Sequence, residues 1–163
     1  MVVSENFDDV TEIRPGVFVF FDLFQYGLGV CAMEDIALSV LGTVIAHNHR
    51  TEKLFLDTGA LALSKDRGTA SQAVDYGYGL LCDVSGRPLP GNLIVEEVNQ
   101  EHAVVIVHDD SVFDMLPVGS LVRVLPNHAC MTAAAYEHYE VVEKEEVIHQ
   151  WSRCTGWNQQ YNY

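Results

Sequence analysis

The feature that most constrains this chain is the cadence of its apolar runs, which are short, rich in Val, Ile, Leu, Phe and Tyr, and broken every few residues by Gly, Pro, Asn or Asp. An amphipathic helix needs apolar residues every three or four positions over ten or more residues. Short β-branched and aromatic runs bounded by turn formers suit a pleated strand instead. Strands are accordingly predicted over residues 17–21, 38–46, 53–57, 79–83, 93–98, 103–108, 120–125, 139–142 and 147–153. So many strands in 163 residues predict an all-β or mainly β single domain, a barrel or a sandwich. The turn chemistry agrees: Arg14-Pro15-Gly16 opens the first run, the SGRPLPGN stretch at 85–92 joins two others, and Pro117-Val118-Gly119-Ser120 prepares another. Two short helices are predicted, around residues 34–39 and 131–138, the second favoured by Ala133, Ala134 and Ala135.

Length and composition place the chain among single-domain globular proteins, with residues 1–163 as one unit. Apolar residues make up 48% and charged residues 20%, enough apolar surface to bury and far from a disordered composition. The 23 acidic and 9 basic residues leave a formal charge of −14, which repels a phosphate backbone or an anionic bilayer, so nucleic acid and membrane surfaces are excluded as expected partners. The N-terminal MVVSENFDDVTEI has neither a basic nor an apolar leader region, and no apolar stretch reaches the ~18 residues of a membrane span, so a cytoplasmic protein is expected. Cys31, Cys82, Cys130 and Cys154 are far apart and form no CxxC, the spacing of neither a disulfide framework nor a four-cysteine zinc site.

The sharpest local motif is Leu125-Pro126-Asn127-His128-Ala129-Cys130, directly after a predicted strand. If the chain stays extended there, His128 and Cys130 project to one side, because residues two apart share a strand face. Imidazole and thiolate both suit Zn²⁺, and a catalytic site keeps its other positions for water or substrate. On residue types alone, a structural His beside a buried Cys is the favoured reading, since free Cys is among the most buried residues. Glu101 and His102 could orient a ligand or act behind the metal, or lie on a surface loop. Asp57 could serve likewise, or stabilise a turn. His47-Asn48-His49 reads as a solvated loop, and His108-Asp109-Asp110 as a strand end followed by a turn. The polar, aromatic tail at 157–163 could pack on a neighbour.

Several blocks, taken in order, carry a family resemblance. They are Arg14-Pro15-Gly16-Val17-Phe18-Val19-Phe20-Phe21-Asp22, then Ala37 to Ile45, then Leu56-Asp57-Thr58-Gly59 with Leu63-Ser64-Lys65-Asp66-Arg67-Gly68. Glu101-His102, Val118-Gly119, Val122 to Cys130 and the Trp151 to Gly156 segment complete the order. Over about residues 12–157 the sequence resembles the C-terminal β domain of the D-serine dehydratase/D-threonine aldolase family, fold-type III pyridoxal phosphate enzymes.

The resemblance implies a β domain that closes an active site whose pyridoxal phosphate and Schiff-base lysine belong to a separate α/β barrel. It implies His128 as a metal ligand and Cys130 as the second, the cysteine variant pointing to dehydratases and to zinc, since thiolate suits Zn²⁺ better than Mg²⁺ or Mn²⁺. This chain departs from the family pattern at Gly59-Ala60-Leu61, at Ala103 after Glu101-His102, and at Cys154-Thr155-Gly156, losing a lysine and an arginine. Lys53, Lys65 and Lys144 are its only lysines, and none sits in the family's lysine-bearing context. The expectation is a metal-binding domain without catalytic residues of its own, working with a pyridoxal phosphate barrel protein. The alternatives are a diverged stand-alone metal- or small-molecule-binding module, self-associated as a homo-oligomer, or a fragment of a complete D-serine dehydratase-like lyase.

Overall fold

The computed structural model describes residues 9–153 apart from Ile13 and Pro15. The 154–156 segment and the 157–163 tail lie outside the described residues, as does part of the 14–16 turn. Four short α-helices are present among them, α1 (Leu23–Gly27), α2 (Ala60–Leu63), α3 (Ser111–Met115) and α4 (Ala129–Ala133). The strands are β1 (Val40–Asn48), β2 (Lys53–Leu56), β3 (Gly79–Cys82), β4 (Val95–Val98), β5 (Ala103–Ile106), β6 (Leu121–Pro126), β7 (His138–Glu143) and β8 (Glu146–Ser152). No helix among the described residues is long and apolar enough to cross a membrane.

Six strands form one antiparallel sheet in the order β3-β6-β1-β2-β5-β4. The sheet curls until its two edges meet: the Tyr78 N–H donates to the Val95 carbonyl at 2.9 Å and the Leu81 N–H to the Leu93 carbonyl at 2.8 Å, with a bridge between Leu80 and Ile94. This nearly closed barrel confirms the mainly β expectation and removes the exposed edges that an open sheet would present. Its interior is filled by Val40, Val44, Leu54, Leu56, Leu81, Val95, Val105, Val122 and Val124, all buried. Leu63 of α2 closes one end of this core, and Val112 and Phe113 of α3 enter it from the other.

Strand β3 is buried along its whole length because it is covered on both faces. Leu81 points into the barrel, whereas Leu80 and Cys82 join Leu23, Ile36, Tyr76 and Leu125 in a second cluster under α1. β7 and β8 pair only with each other, a separate hairpin whose second strand is exposed throughout.

Three sequence-based expectations are corrected. Residues 17–21 form no strand: Val17–Val19 is a single 3₁₀ turn, with the Phe20 and Phe21 N–H groups both returning to the Val17 carbonyl. Apolar residues there fall on both parities, and the barrel, closed by β3 against β4, leaves no edge for a further strand. The helix expected at 34–39 is the 3₁₀ turn Met33–Asp35, which ends because Ile36 is already extended. The second helix begins earlier than the alanine run suggested, at Ala129, and is over by Ala134; the chain re-enters strand at His138.

Because all neighbours are antiparallel, one rim of the barrel gathers the ends of β2, β4 and β6 and the starts of β1, β3 and β5. α2, the hairpin tip between β4 and β5, and α4 lie on this rim. The opposite rim carries the β1–β2 turn, α3 and the end of β3.

Candidate functional site

The His128 turn hangs on buried polar groups. As the chain leaves β6, the Asn127 side chain, 1% exposed, donates from Nδ2 to Thr69 Oγ1 at 2.6 Å and to the Gly77 carbonyl at 2.7 Å. Its Oδ1 accepts from the Thr69 N–H at 3.2 Å. A buried amide so fully used locks the backbone around it, since each lost partner would leave a desolvated group unpaired. Asp22, also 1% exposed, accepts from the Gln25 N–H at the start of α1 and from the Ala129 N–H at the start of α4. One buried carboxylate therefore satisfies two helix N-termini and fixes the bend after His128.

That bend overturns the premise that the chain stays extended through Cys130. His128 is the last extended residue, at φ −137° and ψ 105°, and Cys130 lies in the first turn of α4. The physical cause is the Asp22 cap on Ala129, a residue 107 positions away and invisible to local spacing.

The His128 ring sits just over a third exposed, with Nδ1 2.6 Å from Asp66 Oδ2. An ionised carboxylate only accepts, so a neutral ring paired with it carries its proton on Nδ1 and its lone pair on Nε2. Nε2 has no protein partner among the described residues. Asp66 is delivered by the turn after α2, where its N–H donates to Ser64 Oγ at 3.2 Å and Ser64 holds φ 78° and ψ 177°. That backbone region is nearly glycine-only and costs about 1–3 kcal/mol in any other residue.

Cys130 is exposed, and the other described cysteines are built differently. Cys82 is fully buried, and burial, then the charge of Asp83, pushes its thiol up to about 12. Burial likewise raises Cys31, with Asp35 and Asp22 adding to it. Both pack in the second cluster under α1, whereas Cys130 faces solvent.

Glu101 and His102 are exposed at the β4–β5 tip on the same rim. The tip is clamped to α2: the Gly59 N–H donates to the Glu101 carbonyl at 3.1 Å and the Ala60 N–H to the Asn99 carbonyl at 2.7 Å. A Cβ on Gly59 would sit 2.4 Å from the His102 nitrogen, so only glycine allows this approach. At the other end of α2, Thr132 of α4 donates its hydroxyl to the Leu63 carbonyl at 2.8 Å. α2 thus spans from the Glu101-His102 tip to the helix that carries Cys130. Asp57, in contrast, uses Oδ1 to accept from the Thr43 N–H at 2.7 Å, bracing β1 against β2. His47 and His49 lie on the opposite rim, with Phe113, and Asp109 caps the turn into α3 through the Ser111 N–H.

Among the described residues no three His, Cys, Asp or Glu side chains gather around one metal position. Within them, a metal would be held by a two-residue donor set, with remaining positions for water or substrate. By donor chemistry, imidazole plus an exposed thiol suits a divalent ion of the zinc type. Pyridoxal phosphate does not fit this chain: Lys53 is paired with Glu97 at 3.0 Å, Lys144 forms the tip of the β7–β8 hairpin, and Lys65 is an exposed loop residue. A Schiff-base lysine needs a desolvated pocket that lowers its basicity.

The comparisons with known proteins now have a geometry to be set against. A family model described as the putative serine dehydratase domain matches residues 37–142. The chain belongs to that family. It is 42% identical over 160 residues to D-threo-3-hydroxyaspartate dehydratase of Delftia sp. (strain HT23), covering 96% of this chain but 42% of that protein. The chain thus spans less than half the length of that relative. An uncharacterised protein of Mycobacterium tuberculosis is 32% identical over 133 residues, covering 80% of this chain and 91% of its own length. Two solved structures of D-threo-3-hydroxyaspartate dehydratase superpose on the domain at 42% identity, each over 94% of this chain and about two fifths of the enzyme. One has a histidine replaced by alanine, at a TM-score of 0.86; the other has a cysteine replaced and is described as the metal-free form, at 0.85. In that enzyme the replaced histidine and cysteine are two residues apart.

Sequence reasoning passed over Asp66, Asn127 and Asp22. Asp66 and Asp22 were visible within family-like blocks, but their partners His128 and Ala129 lie 62 and 107 residues away. A short-range signal did exist for Asp66, a polar Ser-Lys-Asp-Arg run leading into Gly68.

Proposed function

We propose that residues 1–163 form one domain that is the metal-holding half of a D-amino-acid dehydratase-type active site, acting in the cytoplasm. His128 Nε2 and the Cys130 thiolate are its protein ligands, and zinc is the preferred ion. The observation that carries this reading is the state of His128: Nδ1 is occupied by Asp66, Nε2 is unspent, and an exposed cysteine follows two residues later. The same His-x-Cys spacing in the related dehydratase, whose cysteine variant is described as metal-free, supports it. A bound divalent ion supplies Lewis acidity to a substrate oxygen. The chain's own contribution is to fix the imidazole and thiolate on a rigid rim, with Glu101 and His102 available from the neighbouring tip for the substrate or a metal-bound water.

The pyridoxal phosphate step belongs to a barrel, either a partner chain or the rest of a longer polypeptide, and the domain alone is no lyase. The substrate class is then a D-amino acid bearing a 3-hydroxyl group. Elemental analysis of the purified chain beside Cys130→Ala and His128→Ala tests the metal: stoichiometric zinc in the first and none in the variants is expected, and equal, negligible zinc in all three defeats the reading.

A second reading, a stand-alone metal- or ligand-binding module, draws support from the mycobacterial relative, which is covered over 91% of its length. It expects the same zinc in a stable homo-oligomer, without co-purification of a pyridoxal phosphate protein.

A further inference from the structure

We infer that Asp66 is the positioning residue of this site: its carboxylate selects the His128 tautomer and fixes the ring plane, so that Nε2 is presented to the ion before any ion arrives. The inference rests on the proposal that His128 is a metal ligand and adds a named residue and a mechanism to it.

Three observations carry it. The Asp66 Oδ2 to His128 Nδ1 separation of 2.6 Å is that of a charge-assisted hydrogen bond. Among the described residues, His128 is the only side chain that Asp66 pairs with. Of the two flanking cations, Arg67 binds Asp75 and lies 5.4 Å over the Tyr78 ring, and the exposed Lys65 makes no ion pair among the described residues. Asp66 is therefore not a general surface ion pair. Finally, the chain accepts a strained Ser64, φ 78° and ψ 177°, in the turn that delivers the carboxylate, and Ser64 Oγ holds the Asp66 N–H. Strain of this kind persists where surrounding structure over-determines it, and it clusters where geometry matters for function.

The physical role follows from imidazole chemistry. A neutral imidazole offers one lone pair, and the nitrogen that is not hydrogen-bonded as a donor is the one that can ligate. Without an acceptor at Nδ1 the ring proton redistributes to Nε2, and the ring rotates about its own bonds. Metal binding then has to pay both terms back. Removal of such outer partners typically costs about 10- to 100-fold in metal affinity.

The test begins on the apo protein. Long-range ¹H–¹⁵N correlation spectra of the full chain at about pH 8, above the ordinary histidine range, report the His128 tautomer directly. The Nδ1–H form is expected in the parent and a shift toward Nε2–H in Asp66→Ala, whereas Asp66→Asn, whose carbonyl oxygen still accepts, keeps the parent tautomer. An Nε2–H ring in the parent, or an unchanged ring in Asp66→Ala, overturns the inference. Titration with Co²⁺ alone, followed by its visible bands, gives the second readout: affinity about 10- to 100-fold weaker in Asp66→Ala and an intermediate loss in Asp66→Asn. If His128→Ala abolishes Co²⁺ binding while Asp66→Ala binds like the parent, the positioning role is wrong and the metal proposal stands. If His128→Ala and the parent bind alike, the metal proposal itself has failed.

Discussion

The barrel carries histidines on both rims, and the two sets are used in opposite ways. On the site rim, His128 gives Nδ1 to a carboxylate and leaves Nε2 without a protein partner among the described residues. On the far rim, His47 puts Nε2 2.8 Å from the Leu116 carbonyl and stacks its ring on Phe113, 5.0 Å between centroids, with His49 completing the cluster at 4.3 Å from Phe113. Each ring has one nitrogen committed: the first keeps Nε2 open two residues before an exposed thiol, and the second packs against Phe113. Residue type and spacing do not separate them, since His47-Asn48-His49 and His128-Ala129-Cys130 are both two-apart pairs of ligand-type residues. What separates them is which ring nitrogen the fold has already consumed.

The sharpest way to break this contrast is to remove each histidine in turn and measure zinc. Structural zinc sites hold the ion with about 10–16 kcal/mol over four ligands, so one ligand is worth about 2.5–4 kcal/mol, or roughly 100-fold to several hundred-fold in affinity. Calorimetric titration should show a loss of that order for His128→Ala and none for His47→Ala. A loss for His47→Ala alone would mean that the far-rim pair, not the site rim, holds the ion.

Next in size is the buried network that sets the site rim. Asn127→Ala strands the Gly77 carbonyl and the Thr69 N–H inside the protein, and at 1–3 kcal/mol for each orphaned group a loss of about 3 kcal/mol is expected in urea unfolding. Zinc binding should weaken with it, because the backbone that carries His128 is no longer held. A variant with parent-like stability would show that waters replace these partners and that the rim is less rigid than the contrast supposes.

How much of this was legible beforehand follows from the range of the forces involved. Eight of the nine expected strands exist, because period-two burial is a local pattern: Val40, Gly42 and Val44 alternate inward along β1 just as their spacing implies. The failure at 17–21 has a non-local cause, the closure of β3 on β4, and so does the early start of α4, set by Asp22. The site was half legible. His128 and Cys130 stand out by type and spacing, whereas the carboxylate that sets the free nitrogen of His128 is 62 residues away and could be paired with it only through the fold. Asp57 shows the converse: its position at a strand end suggested chemistry, and its carboxylate is engaged by the Thr43 backbone.

On the far rim the expected effects are smaller and purely structural. His47→Ala removes one hydrogen bond to a main-chain carbonyl and ring contacts with Phe113 and His49, together about 1–2 kcal/mol. Thermal unfolding should register that loss with zinc content unchanged. A fall in zinc content with stability intact would erase the distinction between the two rims.

The smallest effect concerns acid. Beyond β3, also on the far rim, the Ser85 hydroxyl hydrogen-bonds the Asp83 carboxylate, and the Arg87 N–H and guanidinium add to it, so that its pKa is held at about 2 against an ordinary 3.8. A carboxylate whose folded pKa is depressed stabilises the fold above its unfolded pKa, and that contribution fades as pH falls from 3.8 toward 2. The turn is at the surface, where water screens such interactions, so the gain is modest. Asp83→Asn should therefore melt slightly below the parent near neutrality, and the gap should close as the pH drops through that window. A gap that persists at the acid end would mean that Asp83 acts through its shape in the 83–87 turn and not through its charge. The far rim would then be built without electrostatics, and ionised carboxylates would do work only at the site rim, where Asp66 meets His128.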